Sequence, residues 1–251
     1  MRGVLFGGMV AMLAVGQVAA VHARDDGFAD SVAETMDGLE WGMSHKDVFK
    51  LIESRVKERY REQLEEAPGS IEQDQIMSRM REEIAKVRRD FVVFDGRVSG
   101  WDVSSVGPEF RRNTNEAMIV WDDEKSRNHY FFIKGRLWKW YRQFKPDAFG
   151  GADFDVVGQA LMARFGHAEE QQGQREKDGG LERWLAWEGK RSRVTAIDQG
   201  SHVVLLLTDL RVFNQLATLR KGALPRRHKR KSTIDSILMN EDEREAWRDT
   251  R

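Results

Sequence analysis

The residues with the clearest capacity for recognition are Trp138, Trp140 and Arg142, which stand at alternate positions in the aromatic segment 130–144. Alternate side chains of a β-strand share one face, so the spacing predicts these three on the same face. The opposite face then carries Leu137, Lys139 and Tyr141. Neither face is purely apolar, which predicts a partly exposed tryptophan and a possible surface for a ligand or partner. The interpretation that we favour, however, is that these rings fill a core, because large aromatic side chains are expected inside a small sheet.

Metal chemistry has less support in the sequence. The six histidines form no H-x-H or H-E-x-x-H pair, so we predict no histidine metal site. They are His22, His45, His129, His167, His202 and His228. The acidic turn Asp122-Asp123-Glu124 lacks the alternating ligands and the glycine of a calcium loop, and we interpret it as a solvated turn. The sequence therefore predicts neither a metal nor a cofactor.

Catalytic signatures are also missing from the sequence. There is no G-x-S-x-G, no phosphate-binding glycine loop, no dinucleotide fingerprint and no cysteine nucleophile. Carboxylates are frequent in the predicted helices, but lysines and arginines alternate with them, as in surface ion pairs. The prediction is a non-catalytic protein with no catalytic residue. An enzyme without a recognisable motif is the remote alternative.

A basic run near the end of the sequence is a second candidate contact. Its cations are Arg226, Arg227, Lys229, Arg230 and Lys231. Clustered cations contribute on the order of 1 kcal/mol each beside an anionic lipid surface. The whole chain has 41 basic and 41 acidic residues, so no global field attracts nucleic acid. An anionic envelope surface is the partner that such a run fits, but the interpretation that we favour is a solvated disordered tail.

Residues 1–23 have the three parts of a secretory signal peptide. Arg2 precedes the apolar run Val4–Val18, and small residues lead to Ala23. We expect cleavage after Ala23, with Ala20 as the alternative site. The run is shorter than the roughly 20 residues that span a bilayer, and no other segment approaches that length. The mature chain is therefore predicted to have no transmembrane span, with an uncleaved anchor or a buried first helix as the alternatives.

The absence of cysteine bears on location and stability. An exported chain of this kind has no disulfides and no lipid-modified N-terminal cysteine, so its core alone must hold the fold. A hydrophobic fraction of 40% is sufficient for such a core. A soluble periplasmic protein fits these properties best.

The first part of the mature chain predicts helices followed by an antiparallel sheet. Apolar spacing in 24–37 predicts a short helix, and Ser44 with Asp47 predicts the start of a long one that Pro68-Gly69 ends. A second helix, with Ser70 as its predicted cap, completes a helical hairpin. Four segments then predict strands, and Lys134-Gly135 predicts the turn of an aromatic hairpin. These strand segments are Phe91–Phe94, Glu116–Trp121, Tyr130–Ile133 and Leu137–Phe144.

After Pro146 and Gly150-Gly151 the same order begins again on a smaller scale. An apolar stripe from Phe154 to Phe165 predicts a helix, and His167–Gly180 predicts a mobile segment. Three strands and a closing helix follow at Leu181–Trp187, Arg193–Ile197, His202–Thr208 and Asp209–Leu219. The fold class is therefore α+β: a helical hairpin on an antiparallel meander, then a second, smaller helix-plus-meander module. The expected organisation is a signal peptide at 1–23, modules at 24–148 and 152–220, and a basic disordered tail at 221–251.

The segment Leu39–Ile52, LEWGMSHKDVFKLI, resembles the opening of the BamE/SmpA family of small outer-membrane lipoproteins. Gly42, Met43, Ser44 and Val48 are the positions that match the family's helix-start motif. The resemblance implies two helices packed on a three-stranded sheet, an envelope location and a binding or scaffold role. It carries over no functional residue. The chain departs from the family in its missing lipid-attachment cysteine, its longer helices and its second module.

These observations lead to one expected function and two alternatives. We expect an exported periplasmic protein that binds or scaffolds another envelope component, either a protein or an anionic surface. A carrier of a lipid or another apolar ligand is the first alternative, and it predicts a cavity lined by Phe131, Ile133, Trp138 and Leu161. An enzyme is the remote alternative, and it predicts a cleft with converging ionisable groups.

Overall fold

The fold is α+β, with helices packed on an eight-stranded antiparallel sheet. The computed structural model describes residues 25–95, 114, 116–168, 170–174 and 181–220. The predicted signal peptide and the basic tail lie outside these residues. Most of residues 96–115, where a sequence rich in Gly, Ser, Asn and Arg predicts a long loop, also lies outside them. The helices are α1 Asp25–Met36, α2 His45–Glu66, α3 Ser70–Arg89, α4 Phe154–Phe165, α5 Leu210–Phe213 and α6 Leu216–Arg220. The strands are β1 Val92–Val93, β2 Glu116–Asp122, β3 Ser126–Ile133, β4 Arg136–Phe144, β5 Glu170–Gln174, β6 Leu181–Glu188, β7 Ser192–Asp198 and β8 Val203–Asp209.

The strand order in the sheet is β1-β2-β3-β4-β8-β7-β6-β5. Each half of the chain forms a meander of four strands, and the two last strands, β4 and β8, pair with each other at the centre. The sheet is therefore continuous across the predicted boundary at Gly150-Gly151. The division into two modules stays a prediction.

The helix α2 begins where local chemistry predicts. Ser44 is its N-cap, and its hydroxyl accepts a hydrogen bond from the backbone N–H of Asp47. The predicted cap of α3 is one residue off, because Ser70 is the first helical residue and Gly69 holds the N-cap position without a side-chain bond.

The predicted aromatic hairpin is confirmed as β3 and β4. Its turn residues, Lys134 and Gly135, have φ angles of 48° and 76°. Positive φ at both central positions matches the right-handed twist of paired strands, and glycine adopts it without a Cβ penalty. Gly135 has open space where a Cβ would lie, so its conformation rather than crowding selects glycine there.

A β-bulge interrupts the regular alternation of β4. Phe131 pairs with Lys139 and Phe132 pairs with Leu137, so Trp138 is an extra residue between two pairs. A bulge of this kind places consecutive side chains on one face of the sheet. Trp138 and Tyr141 accordingly pack in one apolar cluster, whereas Leu137 and Trp140 pack in the other. The prediction that Trp138 and Trp140 share a face is therefore wrong.

The two faces of the sheet have separate cores. On one face, α1, α2, α3 and α4 bury apolar side chains against strands of both halves, and this cluster includes Phe28, Ile52, Phe165, Trp187 and Leu207. On the other face, a smaller cluster includes Met118, Phe131, Trp138 and Tyr141, with Leu216 and Leu219 of α6 packed against it. We call these the helix face and the opposite face.

The turn before α2 extends the sheet beside β4. The backbone of Leu137 accepts a hydrogen bond from the Gly42 N–H at 2.8 Å and donates one to the Met43 carbonyl at 2.9 Å. The Trp41 indole donates to Ser192 Oγ at 2.9 Å and ties the same turn to β7. Three matched positions of the family resemblance thus lie in a helix-start turn that joins α2 to the centre of the sheet.

Two predictions in the second half need correction. The segment His167–Gly180, predicted to be mobile, contains the edge strand β5, which pairs with β6 from Glu170 to Gln174. The predicted closing helix Asp209–Leu219 is two short helices separated by Asn214 and Gln215. Asp209 itself caps α5, since its side chain accepts from the Arg211 N–H at 2.9 Å.

Among the described residues, no helix is both long and apolar enough to cross a membrane.

Glu83 of α3 joins three elements of the helix face. Its carboxylate is ion-paired with Arg59 of α2, accepts from the Trp121 indole of β2 at 3.1 Å and accepts from the Tyr60 hydroxyl of α2 at 3.3 Å. Hydrogen bonds to a charged group contribute more to stability than neutral ones. This carboxylate therefore fixes the helical hairpin to the sheet.

We predict that Glu83→Gln lowers the free energy of unfolding by about 1–2 kcal/mol, because the amide keeps one acceptor but loses the charge opposite Arg59. Urea denaturation followed by tryptophan fluorescence measures the change. The control is Glu82→Gln, since Glu82 is 69% exposed and pairs with Arg89 on the surface. That change should cost at most about 1 kcal/mol. Equal losses in both variants would contradict the assigned role of Glu83.

Candidate functional site

The structure separates the three residues that the sequence placed together. Trp140 and Arg142 lie on the helix face, whereas Trp138 is fully buried on the opposite face. Trp140 is also buried, so both tryptophans fit the interpretation as core and neither is the partly exposed ring of the alternative. Arg142 packs its guanidinium over the Trp140 ring, 5.6 Å from the ring centre. Trp140 and Arg142 thus form one site, without Trp138.

Cross-strand register assembles this site on the helix face. Tyr130 pairs with Trp140, and Asn128 pairs with both Trp121 and Arg142. Neighbouring pairs on one face of an antiparallel sheet lie within side-chain contact. The Tyr130 and Trp140 rings accordingly stack with their centres 5.7 Å apart and their planes 20° apart. Two rows of polar and aromatic side chains therefore lie side by side beneath α1 and α2.

These rows line a cavity of about 180 Å³, which we call the inner cavity. Its walls combine aromatic rings with two arginines and two carboxylates. The lining residues are Thr35, Asp37, Arg55, Trp121, Asp123, Asn128, Tyr130, Trp140 and Arg142. The end of α1 and the middle of α2 form its outer side, so helices and sheet enclose it together.

Asp123 organises the polar side of the inner cavity. Its carboxylate accepts from the backbone N–H groups of Lys125 at 2.8 Å and Ser126 at 2.6 Å, from Ser126 Oγ at 2.8 Å and from Asn128 Nδ2 at 2.8 Å. Asn128 Oδ1 in turn accepts from the Trp140 indole at 3.0 Å. The acidic turn is thus a structural element and more than a solvated loop, although Glu124 beside it is largely exposed.

Tyr130 lies at the base of the inner cavity. Its side chain is fully buried, and its hydroxyl has no hydrogen-bond partner among the described residues. Burial raises the pKa of this hydroxyl well above its usual value, while Arg55 and Arg142 act in the opposite direction. The hydroxyl therefore keeps its proton at neutral pH and is available as a donor.

A second depression continues outward from the inner cavity and has a volume of about 220 Å³. We call it the arginine cleft. It is lined by Arg55, Arg59, Trp121, Asp123, Glu124, Lys125 and Arg142. Four of these residues also line the inner cavity, so the two spaces are adjacent: Arg55, Trp121, Asp123 and Arg142. An open groove beside Ser54 and Glu58 extends the same surface along α2.

The opposite face buries ionisable groups of its own. Desolvation, together with the nearby Arg127 cation, lowers the pKa of His129 from 6.5 to about 4, so this imidazole is neutral at pH 7. The ammonium of Lys139 lies 5.0 Å from the ring centre of Phe131. Glu116 is ion-paired with Arg220 of α6 at 2.9 Å, which ties that helix to the sheet.

The structure also bears on the predicted carrier cavity, the basic run and the histidine and acidic residues. The residues predicted to line an apolar carrier cavity do not share one face, since Phe131, Ile133 and Trp138 pack on the opposite face and Leu161 packs on the helix face. Arg226, Arg227, Lys229, Arg230 and Lys231 lie outside the described residues. Within the described part of the chain, no three His, Cys, Asp or Glu side chains are close enough to hold a metal ion.

Of the nine residues that line the inner cavity, sequence reasoning named only Trp140 and Arg142 as site residues. The sequence predicts a charged helix surface at Arg55 and an apolar strand at Tyr130. The alternation of Asn128 and Tyr130 along β3 is visible in the sequence and could have placed them on one face. Nothing comparable marks Arg55, because charged residues recur along the whole of α2.

Comparison with protein-family models, with curated proteins and with solved structures finds no match for this chain. The class that the fold and the site define is an α+β protein with a small cavity of polar and aromatic residues between helices and sheet.

We predict that Tyr130→Phe leaves the free energy of unfolding unchanged or raises it by up to about 1–2 kcal/mol, because a buried hydroxyl without a partner is costly. The matched control is Tyr60→Phe, whose hydroxyl does have an acceptor in Glu83. That variant should lose about 0.5–1.5 kcal/mol. Thermal and urea unfolding measure both. A loss of 1 kcal/mol or more in Tyr130→Phe would show that its hydroxyl is satisfied in solution.

Proposed function

We propose that the protein is exported and acts without catalysis, by binding another component of the cell envelope through the arginine cleft. The observation that carries this proposal is the cleft itself, an open depression that Arg55, Arg59 and Arg142 line together with Trp121. Arginine and tryptophan are enriched among the residues that dominate protein–protein binding energy. Export and an envelope location are supported by the signal-like start of the sequence and by the resemblance of Leu39–Ile52 to the BamE/SmpA family.

The structure of the cleft suits a protein partner. Glu83 and the α2–α3 contact hold Arg59 in place, and the Asp123 turn holds Arg142 through the bond from its Nε to Ser126 Oγ at 3.0 Å. Side chains that are already positioned lose little conformational entropy when a partner binds. The basic run at 226–231 is proposed as a secondary contact with an anionic surface.

A cysteine-free chain allows this proposal to be tested by placing a single thiol at a chosen point. Ser54 is exposed on α2 beside the cleft, and Ser78 is an exposed serine on α3 that lines neither the cleft nor the inner cavity. Ser54→Cys and Ser78→Cys are each labelled with a maleimide photocrosslinker and mixed with an envelope fraction of the native cells.

We predict one discrete crosslinked product from position 54 that is absent from position 78 and is lost when Arg59 and Arg142 are both changed to glutamine. The free chain recovered from the envelope should have a mass that begins at Arg24. Equal crosslinking from both positions, or a product that persists in the double arginine variant, would contradict binding through the cleft. An N-terminus at Met1 in the recovered chain would contradict export with cleavage.

A further inference from the structure

The inner cavity has hydrogen-bond donors that its own acceptors do not use. Arg142 donates from Nε to Ser126 Oγ, and among the described residues its terminal nitrogens approach a carboxylate only at Asp123 Oδ2, 3.9 Å away. That distance is beyond hydrogen-bond range. Arg55 uses a single terminal nitrogen, which bonds Asp37 at both the backbone carbonyl and the carboxylate. Both guanidinium groups therefore have spare donors at the cavity wall.

The hydroxyl of Tyr130 is a further donor in the same place. It is buried, protonated and without a partner among the described residues. Arg55 and Arg142 are both close enough to lower its pKa, and Asp123 and Asp37 act in the opposite direction. Leaving a buried donor unbonded costs free energy, so an acceptor that reaches this hydroxyl removes an existing penalty.

The acceptors of the cavity, in contrast, are largely occupied. The Asp123 carboxylate already receives bonds from four donors, and Asn128 Oδ1 receives the Trp140 indole. Asp37 is paired with Arg55 and its side chain is 80% exposed. The cavity therefore has an excess of donors, and a ligand that complements it must bring acceptors.

We propose that the inner cavity binds a carboxylate group between the Arg142 guanidinium and the Tyr130 hydroxyl, with Trp121 and Trp140 as its aromatic walls. The planar guanidinium matches the two oxygens of a carboxylate and can donate to both. This inference rests on the proposed function, because an acidic side chain of the envelope partner is one source of such a group. A free dicarboxylic acid is the other source.

The size of the cavity favours a single functional group. Pockets for drug-sized ligands have volumes of roughly 300–1,000 Å³, and the inner cavity has about 180 Å³. A carboxylate on a short chain fits this space, while the rest of the ligand continues into the arginine cleft.

Contact with Tyr130 requires a side chain of the wall to shift, because the hydroxyl itself is covered. Arg55 is the group able to do so, since its side chain is 22% exposed and its partner Asp37 is 80% exposed.

The test uses the purified chain and defined probes. Indole N–H resonances in ¹H–¹⁵N spectra report on Trp121 and Trp140 directly, once single Trp→Phe variants have assigned them. Sodium succinate is titrated to about 20 mM against sodium chloride of equal ionic strength, with neutral succinamide as the matched control for shape. The capped peptide acetyl-Gly-Glu-Gly-amide and its glutamine counterpart form a second pair of probes.

We expect succinate to shift the Trp121 and Trp140 indoles with a dissociation constant on the order of millimolar, and succinamide to shift neither. Binding of the glutamate peptide as well would assign the group to a protein side chain, whereas binding of succinate alone would assign it to a free acid. Tyr130→Phe and Arg142→Gln should each weaken binding about tenfold or more. Tyr60→Phe and Arg61→Gln, which change the same residue types outside the cavity, should leave it within about twofold.

Three results would overturn the inference: no indole shift with either acid, equal shifts with succinamide, or tighter binding of inorganic phosphate than of succinate. Affinity unchanged by both Tyr130→Phe and Arg142→Gln would also overturn it. The indole spectrum of each variant shows whether it is folded, so loss of binding is distinguishable from loss of structure. Because no partner is present, failure here leaves the crosslinking result from Ser54→Cys intact, and failure of that crosslink leaves the succinate result intact.

Discussion

The bulge at Trp138 is the constraint on which the candidate site depends. On one side β4 pairs with β3 along its length, and on the other it pairs first with Gly42 and Met43 and then with β8 from Lys139 onward. Trp138 lies where the second partner changes. The extra residue reverses the alternation of all that follows, so Trp140 and Arg142 face the helices. Without it, both would lie on the opposite face and the inner cavity would lose two of its walls.

Two carboxylates then give the site its fixed geometry. Asp123 closes the turn between β2 and β3 and orients Asn128, which in turn orients the Trp140 indole. Glu83 joins α3, α2 and the Trp121 indole from the other side. Both carboxylates already accept hydrogen bonds from donors of the protein itself. The arginines and the Tyr130 hydroxyl are then the groups that can bond a ligand. The site can therefore offer hydrogen-bond donors to a ligand, because its acceptors are already bonded within the protein.

Much of the fold could be predicted from the sequence because its signals are local. The cap formed by Ser44 with Asp47 begins α2, and the turn at Lys134-Gly135 joins β3 to β4, as their residue types predict. The stripe in α1, with Phe28, Val32 and Met36, is buried as its spacing predicts. Strand β5 was missed because Glu170–Gln174 lacks the apolar and β-branched residues typical of strands, and its pairing with β6 decides the structure instead.

The site could be predicted less well, because its assembly depends on non-local pairing. No glycine or proline marks the bulge at Trp138. Regular alternation along β4 therefore placed Trp138 and Trp140 on one face, which is wrong. Arg55 comes from a helix far from β3 in sequence, and its place at the cavity wall follows from the packing of α2 on the sheet. Asp123 orients the site only because the fold brings the side chains of Ser126 and Asn128 within hydrogen-bond distance of its carboxylate. Of the three residues predicted to share a surface, only Trp140 and Arg142 lie on the same face of the sheet.

A high-resolution crystal structure of the protein grown in succinate would show whether the reversal in β4 creates a donor-rich cavity for a carboxylate. We expect one carboxylate of succinate between Trp121 and Trp140, with its oxygens about 2.7–3.2 Å from the Arg142 terminal nitrogens and from Tyr130 Oη. A structure in which Trp138 and Trp140 share a face, or in which the Arg142 terminal nitrogens bond Asp123 and succinate is absent from the cavity, would contradict it.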